Sequence, residues 1–64
     1  MIKNYEAYTN AKNEFFHNHN SSFSVELINN VKVYNFTDGA QWMENMLNGK
    51  VIATENTVST HFQF

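Results

Sequence analysis

The chain has 64 residues, the size of one small domain, so we predict a single domain spanning residues 1–64. Hydrophobic residues make up 42% of the chain and charged residues 16%, a balance that excludes a disordered tail. Cysteine is absent, which excludes disulfides, thiolate zinc sites and cysteine nucleophiles. No apolar run approaches the roughly 20 residues of a membrane span and no signal peptide is visible, so we expect a cytoplasmic protein without membrane contact.

The charge of the chain argues against nucleic-acid binding. The chain has four lysines, no arginine and six acidic residues, which gives a net charge of −2. Binding to nucleic acid draws most of its affinity from neutralised phosphates, which requires clustered cations. The lysines are scattered along the sequence at Lys3, Lys12, Lys32 and Lys50. We therefore do not expect nucleic acid as a partner.

Residues 2–17 carry apolar side chains at spacings of three and four, which predicts an α-helix. The side of this helix that would face a core consists of Ile2, Tyr5, Tyr8, Ala11, Lys12, Phe15 and Phe16. The turn-rich residues 18–22 are expected to end the helix.

From Phe23 to Phe36 the apolar period changes to two, which is typical of β-strands. Asn29 and Asn30 suit the centre of a two-residue hairpin turn, because asparagine tolerates positive φ. This turn pairs Ile28 with Val31 and gives the hairpin one almost wholly apolar face. That face consists of Phe23, Val25, Leu27, Lys32, Tyr34 and Phe36. A shift of one residue in the pairing of the two strands would place polar groups on this apolar face. The turn residues and the apolar alternation therefore indicate the same register.

A short second helix is predicted after residues 37–39. Asp38 followed by Gln41 resembles a capping box, and Gly49 would serve as the left-handed cap at the other end. The apolar stripe of this helix consists of Ala40, Met43, Met46 and Leu47, with Trp42 beside it.

Residues 50–55 and 58–64 predict a second antiparallel hairpin around Asn56 and Thr57. One of its faces consists of Val51, Ala53, Val58, Thr60, Phe62 and Phe64, and the other of Ile52, His61 and Gln63. The element order is then α-β-β-α-β-β. It predicts an α+β fold in which both helices pack on one face of a four-stranded, mostly antiparallel sheet.

Few residues could carry chemistry. His17 and His19 would point away from each other on one helix, and His61 lies on the last predicted strand, so a metal site is not expected. The acidic residues are scattered, no serine lies in a nucleophile elbow, and the two glycines form no phosphate-binding loop. We assign no catalytic, metal or cofactor-binding residue and expect a protein that is not an enzyme.

The sheet face without helices is the expected partner-binding surface, because its apolar residues form a strip of the kind that usually meets a partner. The last strand is expected at a sheet edge that no proline or charge protects, which favours strand-to-strand homodimerisation. The predicted partner-binding residues are Ile28, Val31, Val33, Ile52, His61 and Phe64.

Residues 42–52 resemble a helix–Gly-Lys–strand unit of small phage-encoded proteins, among them the second type of phage inhibitor of Thoeris immunity. The matching positions are Met43, Met46, Gly49, Lys50 and Ile52. The resemblance implies a phage or mobile-element origin. We expect a small protein-binding factor that inhibits a bacterial host system, an anti-defence protein such as an anti-CRISPR. The alternative is a small, dimeric, nucleic-acid-associated or transcription-modulating protein.

Overall fold

A computed structural model describes residues 1–20 and 22–64, a range in which one α-helix precedes five β-strands. The elements are α1 (Tyr5–Asn18), β1 (Phe23–Ile28), β2 (Val31–Phe36), β3 (Gln41–Asn45), β4 (Lys50–Glu55) and β5 (Val58–Gln63). The strands form a single antiparallel sheet in the order β1-β2-β3-β4-β5, so each strand pairs with its neighbours in sequence. Helix α1 packs against one face of this sheet.

The predicted first helix is confirmed and begins after Asn4, whose side chain accepts a hydrogen bond from the Ala7 amide at 3.1 Å. It ends at Asn18, within the predicted turn segment, of which Ser21 lies outside the described residues. Tyr8 is buried on its sheet side, whereas Tyr5 stays 64% exposed, although the sequence pattern placed both on the apolar side.

Both predicted hairpins are confirmed in their register. Ile28 pairs with Val31 around a turn in which Asn29 and Asn30 have φ of 50° and 68°. Residues Glu55 and Val58 flank the second turn, in which φ is 50° and 66° at positions 56 and 57. Two successive positive φ values are the mark of type I′ turns, whose twist matches that of the flanking strands.

The predicted second helix is wrong, because residues 41–45 form the central strand β3. Trp42 is 0% exposed and Glu44 is 2% exposed, and both side chains face α1. Met43 between them lies on the opposite face, where it pairs with Val33 and Ile52. The side chains of β3 therefore alternate between the two faces of the sheet. Because a buried glutamate occupies one of the inward positions, the sequence shows no regular alternation of apolar and polar residues there.

The residues that were predicted to cap the second helix form turns instead. The Asp38 carboxylate accepts a hydrogen bond from the Ala40 amide at 3.0 Å, which shapes the loop between β2 and β3. Gly49 has φ of 67° in the turn that joins β3 to β4. Met46 and Leu47 are exposed in that same turn and form no apolar stripe. The fold is thus α+β, with one helix on a five-stranded antiparallel sheet instead of two helices on four strands.

The core lies between α1 and the sheet. Its buried hydrophobic residues are Tyr8, Tyr34, Phe36, Ala40, Trp42, Val51 and Ala53. Phe16 contacts Phe36 edge to face with ring centroids 5.0 Å apart, and the rings of Phe15 and Trp42 are 5.3 Å apart. No helix in residues 1–20 and 22–64 is long and apolar enough to cross a membrane.

The first residues of the chain fold back onto its last one. The amides of Lys3 and Asn4 donate to the Phe64 carbonyl, and the amino group of Met1 donates to the Leu47 carbonyl. A Cβ atom on Gly49 would lie 3.0 Å from the Met1 carbonyl oxygen, so this turn admits little more than glycine. These contacts join the amino terminus to the β3–β4 turn.

Candidate protein-binding surface

The sheet face opposite α1 carries a continuous row of apolar side chains. Val33 pairs with Met43, and Met43 pairs with Ile52, so these three side chains lie side by side across β2, β3 and β4. Ile28 and Val31 pair with each other at the neighbouring level of the same face. We call these five residues the apolar strip. None of the described residues that pack on the core lies over it.

Four of the predicted partner-binding residues belong to the apolar strip, and Met43 is the member that the sequence analysis missed. The sequence signal that could have indicated Met43 is that it lies between Trp42 and Glu44. In a strand, these two neighbours point to one face and place Met43 on the other, together with Val33 and Ile52. Ile28 is 51% exposed, and the other members are half-buried by their neighbours within the sheet.

A polar row borders the apolar strip on the same face. The Asn35 amide group donates to the Glu26 carboxylate at 3.1 Å, and the Gln41 amide group donates to the Asn35 side-chain oxygen at 2.7 Å. Further along, the hydroxyl groups of Thr54 and Ser59 are 2.9 Å apart. This arrangement of an apolar centre beside ordered polar side chains is typical of protein interfaces.

The ends of the apolar strip differ in charge. Glu26 on β1 pairs with Val33 and supplies a carboxylate at one end. His61 on β5 pairs with Ile52, and Lys50 lies near it on the same face, so basic groups mark the other end. A matching partner would carry an apolar patch between a basic group and an acidic group.

Strands β1 and β5 are the two edges of the sheet. Every residue of β1 is exposed, including Val25 and Leu27, which is 71% exposed on the helix side of the sheet. His61 lies on the face of the apolar strip, as predicted. Phe64 lies elsewhere: its ring packs 5.8 Å from that of Tyr8 on the helix side, so the structure separates it from the other predicted residues.

A buried polar cluster joins α1 to the sheet on the other face. The Glu44 carboxylate accepts hydrogen bonds from the Tyr8 hydroxyl at 2.7 Å, the Trp42 indole at 3.0 Å and the Lys12 ammonium at 3.2 Å. The Tyr34 hydroxyl is 3.4 Å away, and Lys12 also donates to it at 3.2 Å. We call these five residues the Glu44 cluster. The signal for it in the sequence is Lys12, a lysine within the apolar side of a helix.

The Glu44 cluster holds its ion pair in the charged form. Burial alone would raise the pKa of Glu44, but hydrogen bonds from Tyr8 and Trp42 and the charge of Lys12 lower it. Burial alone would lower the pKa of Lys12, but its bonds to the two tyrosines and to Glu44 raise it. Burial together with the bond to Glu44 raises the pKa of Tyr8 to about 12. The cluster is therefore charged but fully partnered, which fits a structural role.

His19 at the end of α1 forms a second polar link. Its Nδ1–H donates to Asp38 at 2.6 Å and its Nε2–H donates to Glu55 at 2.9 Å. Both ring nitrogens can donate only in the imidazolium form. The bond to Asp38 raises the pKa of His19, against the opposing effect of burial and with support from Glu55. No local sequence pattern indicates this link, because its partners are 19 and 36 residues away.

The chain matches no protein-family model, no curated protein and no solved structure. The described residues contain no group of three or more side chains placed to hold a metal ion. The resemblance of residues 42–52 to phage-encoded proteins depended partly on a helix, whereas residues 41–45 form β3. The phage origin stays a prediction, with chain size and composition as its remaining support.

Proposed function

We propose that this chain is a non-enzymatic protein-binding domain and that the apolar strip is its binding surface. The observation that carries the proposal is the continuous row Val33–Met43–Ile52 on a sheet face that α1 leaves uncovered. The outer face of a one-sided antiparallel sheet ordinarily carries polar side chains. Its apolar residues here are adjacent to one another instead of scattered, which is typical of an interaction site.

The partner is proposed to be a second protein with an apolar patch. Charge complementarity sets its orientation, because Glu26 marks the β1 end of the strip and Lys50 and His61 mark the β4–β5 end. The half-buried strip side chains would form the interface centre and the bonded polar row its rim. Inhibition of a bacterial host system is the specific form of this proposal that size and composition favour.

The arrangement of the lysines supports a protein partner over nucleic acid. Lys12 is bonded to Glu44 and two tyrosines, so its charge is already neutralised. Lys32 and Lys50 lie on opposite faces of the sheet. These three cations are therefore not clustered on one surface, which contact with a phosphate backbone requires.

The test is affinity capture of the tagged chain from nuclease-treated bacterial lysates, with Met43→Lys and Asn13→Lys as a matched pair. Both variants add one lysine, but Met43 lies in the apolar strip and Asn13 is exposed on α1. We expect a stoichiometric prey protein that binds the purified wild type and Asn13→Lys directly. Its affinity for Met43→Lys should fall at least about tenfold, since a desolvated lysine at an interface centre costs more than about 1.4 kcal/mol.

Sedimentation of the chain alone completes the test. A dimer that dissociates in Met43→Lys, with no prey captured, would assign the strip to self-association and overturn the proposal. Prey that binds both variants equally would exclude the strip as the surface. Prey that is captured from a parallel lysate without nuclease, and not from the treated one, would favour the nucleic-acid alternative.

A further inference from the structure

A groove of about 240 Å³ lies between α1 and the β4–β5 hairpin, on the sheet face opposite the apolar strip. It exists because the helix and the strand that meet there carry small residues, Ala11 on α1 and Ala53 on β4. Pockets for drug-sized ligands begin at about 300 Å³. The groove is therefore suited to a single side chain and too small for such a ligand.

Aromatic rings form the apolar part of the groove. Phe15 from α1 and Phe62 from β5 are half-buried along it, and the fully buried Trp42 also lines it. The ring centroids of Phe15 and Trp42 are 5.3 Å apart, and those of Trp42 and Phe62 are 6.1 Å apart. The faces and edges of such rings accept the alkyl part of a long side chain and attract a cation.

The polar lining of the groove is acidic. Glu14 and Glu55 contribute carboxylates, while Asn18 and Thr60 contribute neutral groups, and the described residues that line it include no lysine. Glu55 also accepts from His19, but Glu14 is exposed and forms no ion pair within the described residues. The groove therefore combines an aromatic lining with the carboxylate of Glu14, unpaired among the described residues, and this combination complements a basic group on an apolar stem.

We propose that this groove binds a basic side chain of a partner polypeptide, arginine in preference to lysine. This inference deepens the proposed function and rests on it for the identity of the partner, whereas the groove itself can be tested without one. The planar guanidinium stacks on aromatic rings and donates in a fork that fits carboxylates, which favours arginine over lysine. Because the groove and the apolar strip lie on opposite faces, the partner would reach the chain from both sides or around an edge of the sheet.

The test is a titration of the ¹⁵N-labelled chain with Nα-acetyl-arginine N-methylamide, followed by NMR. We expect weak, salt-sensitive binding in the millimolar range, with shifts at Phe15, Thr60 and Phe62. The norleucine analogue, which has no charge, should bind more weakly, and the lysine analogue should lie between the two.

Glu14→Gln and Glu6→Gln are the matched variants, because both glutamates are exposed on α1 but only Glu14 lines the groove. Glu14→Gln should weaken arginine binding about 2- to 5-fold, as expected for one exposed ion pair, and Glu6→Gln should not. Equal effects of the two variants, equal binding of the norleucine analogue, or shifts elsewhere would overturn the proposal. Binding of a free alkylguanidine without binding of the blocked arginine would exclude a polypeptide side chain. These results do not depend on capture through the apolar strip, so the two proposals fail separately.

Discussion

At the scale of single residues, Glu44 can be buried because its carboxylate has four donors around it. The hydroxyl groups of Tyr8 and Tyr34, the Trp42 indole and the Lys12 ammonium replace the water that burial removes. Burying a carboxylate without such partners would cost several kcal/mol. The Glu44 carboxylate links β3 to α1. Its burial is therefore stable only while every member of the Glu44 cluster is present.

Lys12→Met should lower the free energy of unfolding by about 3–5 kcal/mol, because it leaves the Glu44 charge buried without its cation. Lys3→Met is the matched control, since Lys3 is exposed and its side chain has no bonded partner in the described residues. The control should change stability by less than about 0.5 kcal/mol. Urea unfolding measures both, and equal effects would show that Lys12 is not part of a buried ion pair.

His19→Gln should destabilise the chain most in mildly acidic solution. The pKa of His19 is raised above its ordinary value of 6.5 in the fold, so its stabilising effect is fully present below that pH and is lost as pH rises through the raised value. The pKa of Asp38 is lowered, chiefly by His19 and also by the Ala40 amide, so its contribution is lost only in stronger acid.

The measurement is the difference in melting temperature between wild type and His19→Gln from pH 4 to pH 9. We expect the difference to be largest at about pH 5–6 and to shrink as the imidazolium deprotonates. His17→Gln is the control, since His17 is exposed two residues earlier and the bonds to Asp38 and Glu55 come from His19. A difference that grows with pH would contradict the ion-pair geometry.

At the scale of elements, two hairpins could be predicted from the sequence and the central strand could not. In each hairpin the turn residues and the alternation of the strands indicate the same register independently. In and around β3, apolar residues happen to recur at helical spacing, at Ala40, Met43, Met46 and Leu47. Within the strand, Glu44 interrupts the inward apolar row. The strand forms because its pairing with β2 and β4 and the Glu44 cluster outweigh local preference, and those contacts are distant in sequence.

The candidate site could be predicted only where it lies on the strands of the two hairpins. Ile28, Val31, Val33 and Ile52 come from strands whose faces the alternation identified. Met43 joins them into a continuous row only once β3 is placed between β2 and β4. The groove and the His19 link depend on how α1 crosses the sheet, which no local pattern specifies.

Thr57→Gly should stabilise the β4–β5 hairpin. Thr57 has φ of 66°, a left-handed conformation that is strained for a β-branched residue and not for glycine. We expect a gain of about 1 kcal/mol in the free energy of unfolding, or a melting temperature raised by about 4–8 °C. Asn30→Gly relieves less strain, because asparagine tolerates its φ of 68°, and should gain only a few tenths of a kcal/mol. A lower melting temperature for Thr57→Gly would contradict the type I′ turn.

At the scale of the whole molecule, one helix covers one face of a five-stranded sheet and leaves the other face open. The inner face contains the aromatic core, the Glu44 cluster and the basic-side-chain groove. The outer face contains the apolar strip between Glu26 and the basic pair Lys50 and His61. Stability and the binding proposed for the apolar strip therefore depend on different faces, so a substitution in the strip can remove that binding without unfolding the chain.

The most direct test of the binding surface is a methyl NMR spectrum of the labelled chain with and without its captured partner. We expect the methyl signals of Val33, Met43 and Ile52 to shift or broaden on binding. The signal of Leu27, which is exposed on the helix side of the edge strand β1 and far from the groove, should stay in place. Unchanged strip methyl groups together with a perturbed Leu27 would show that the partner binds the other face and would contradict the central proposal.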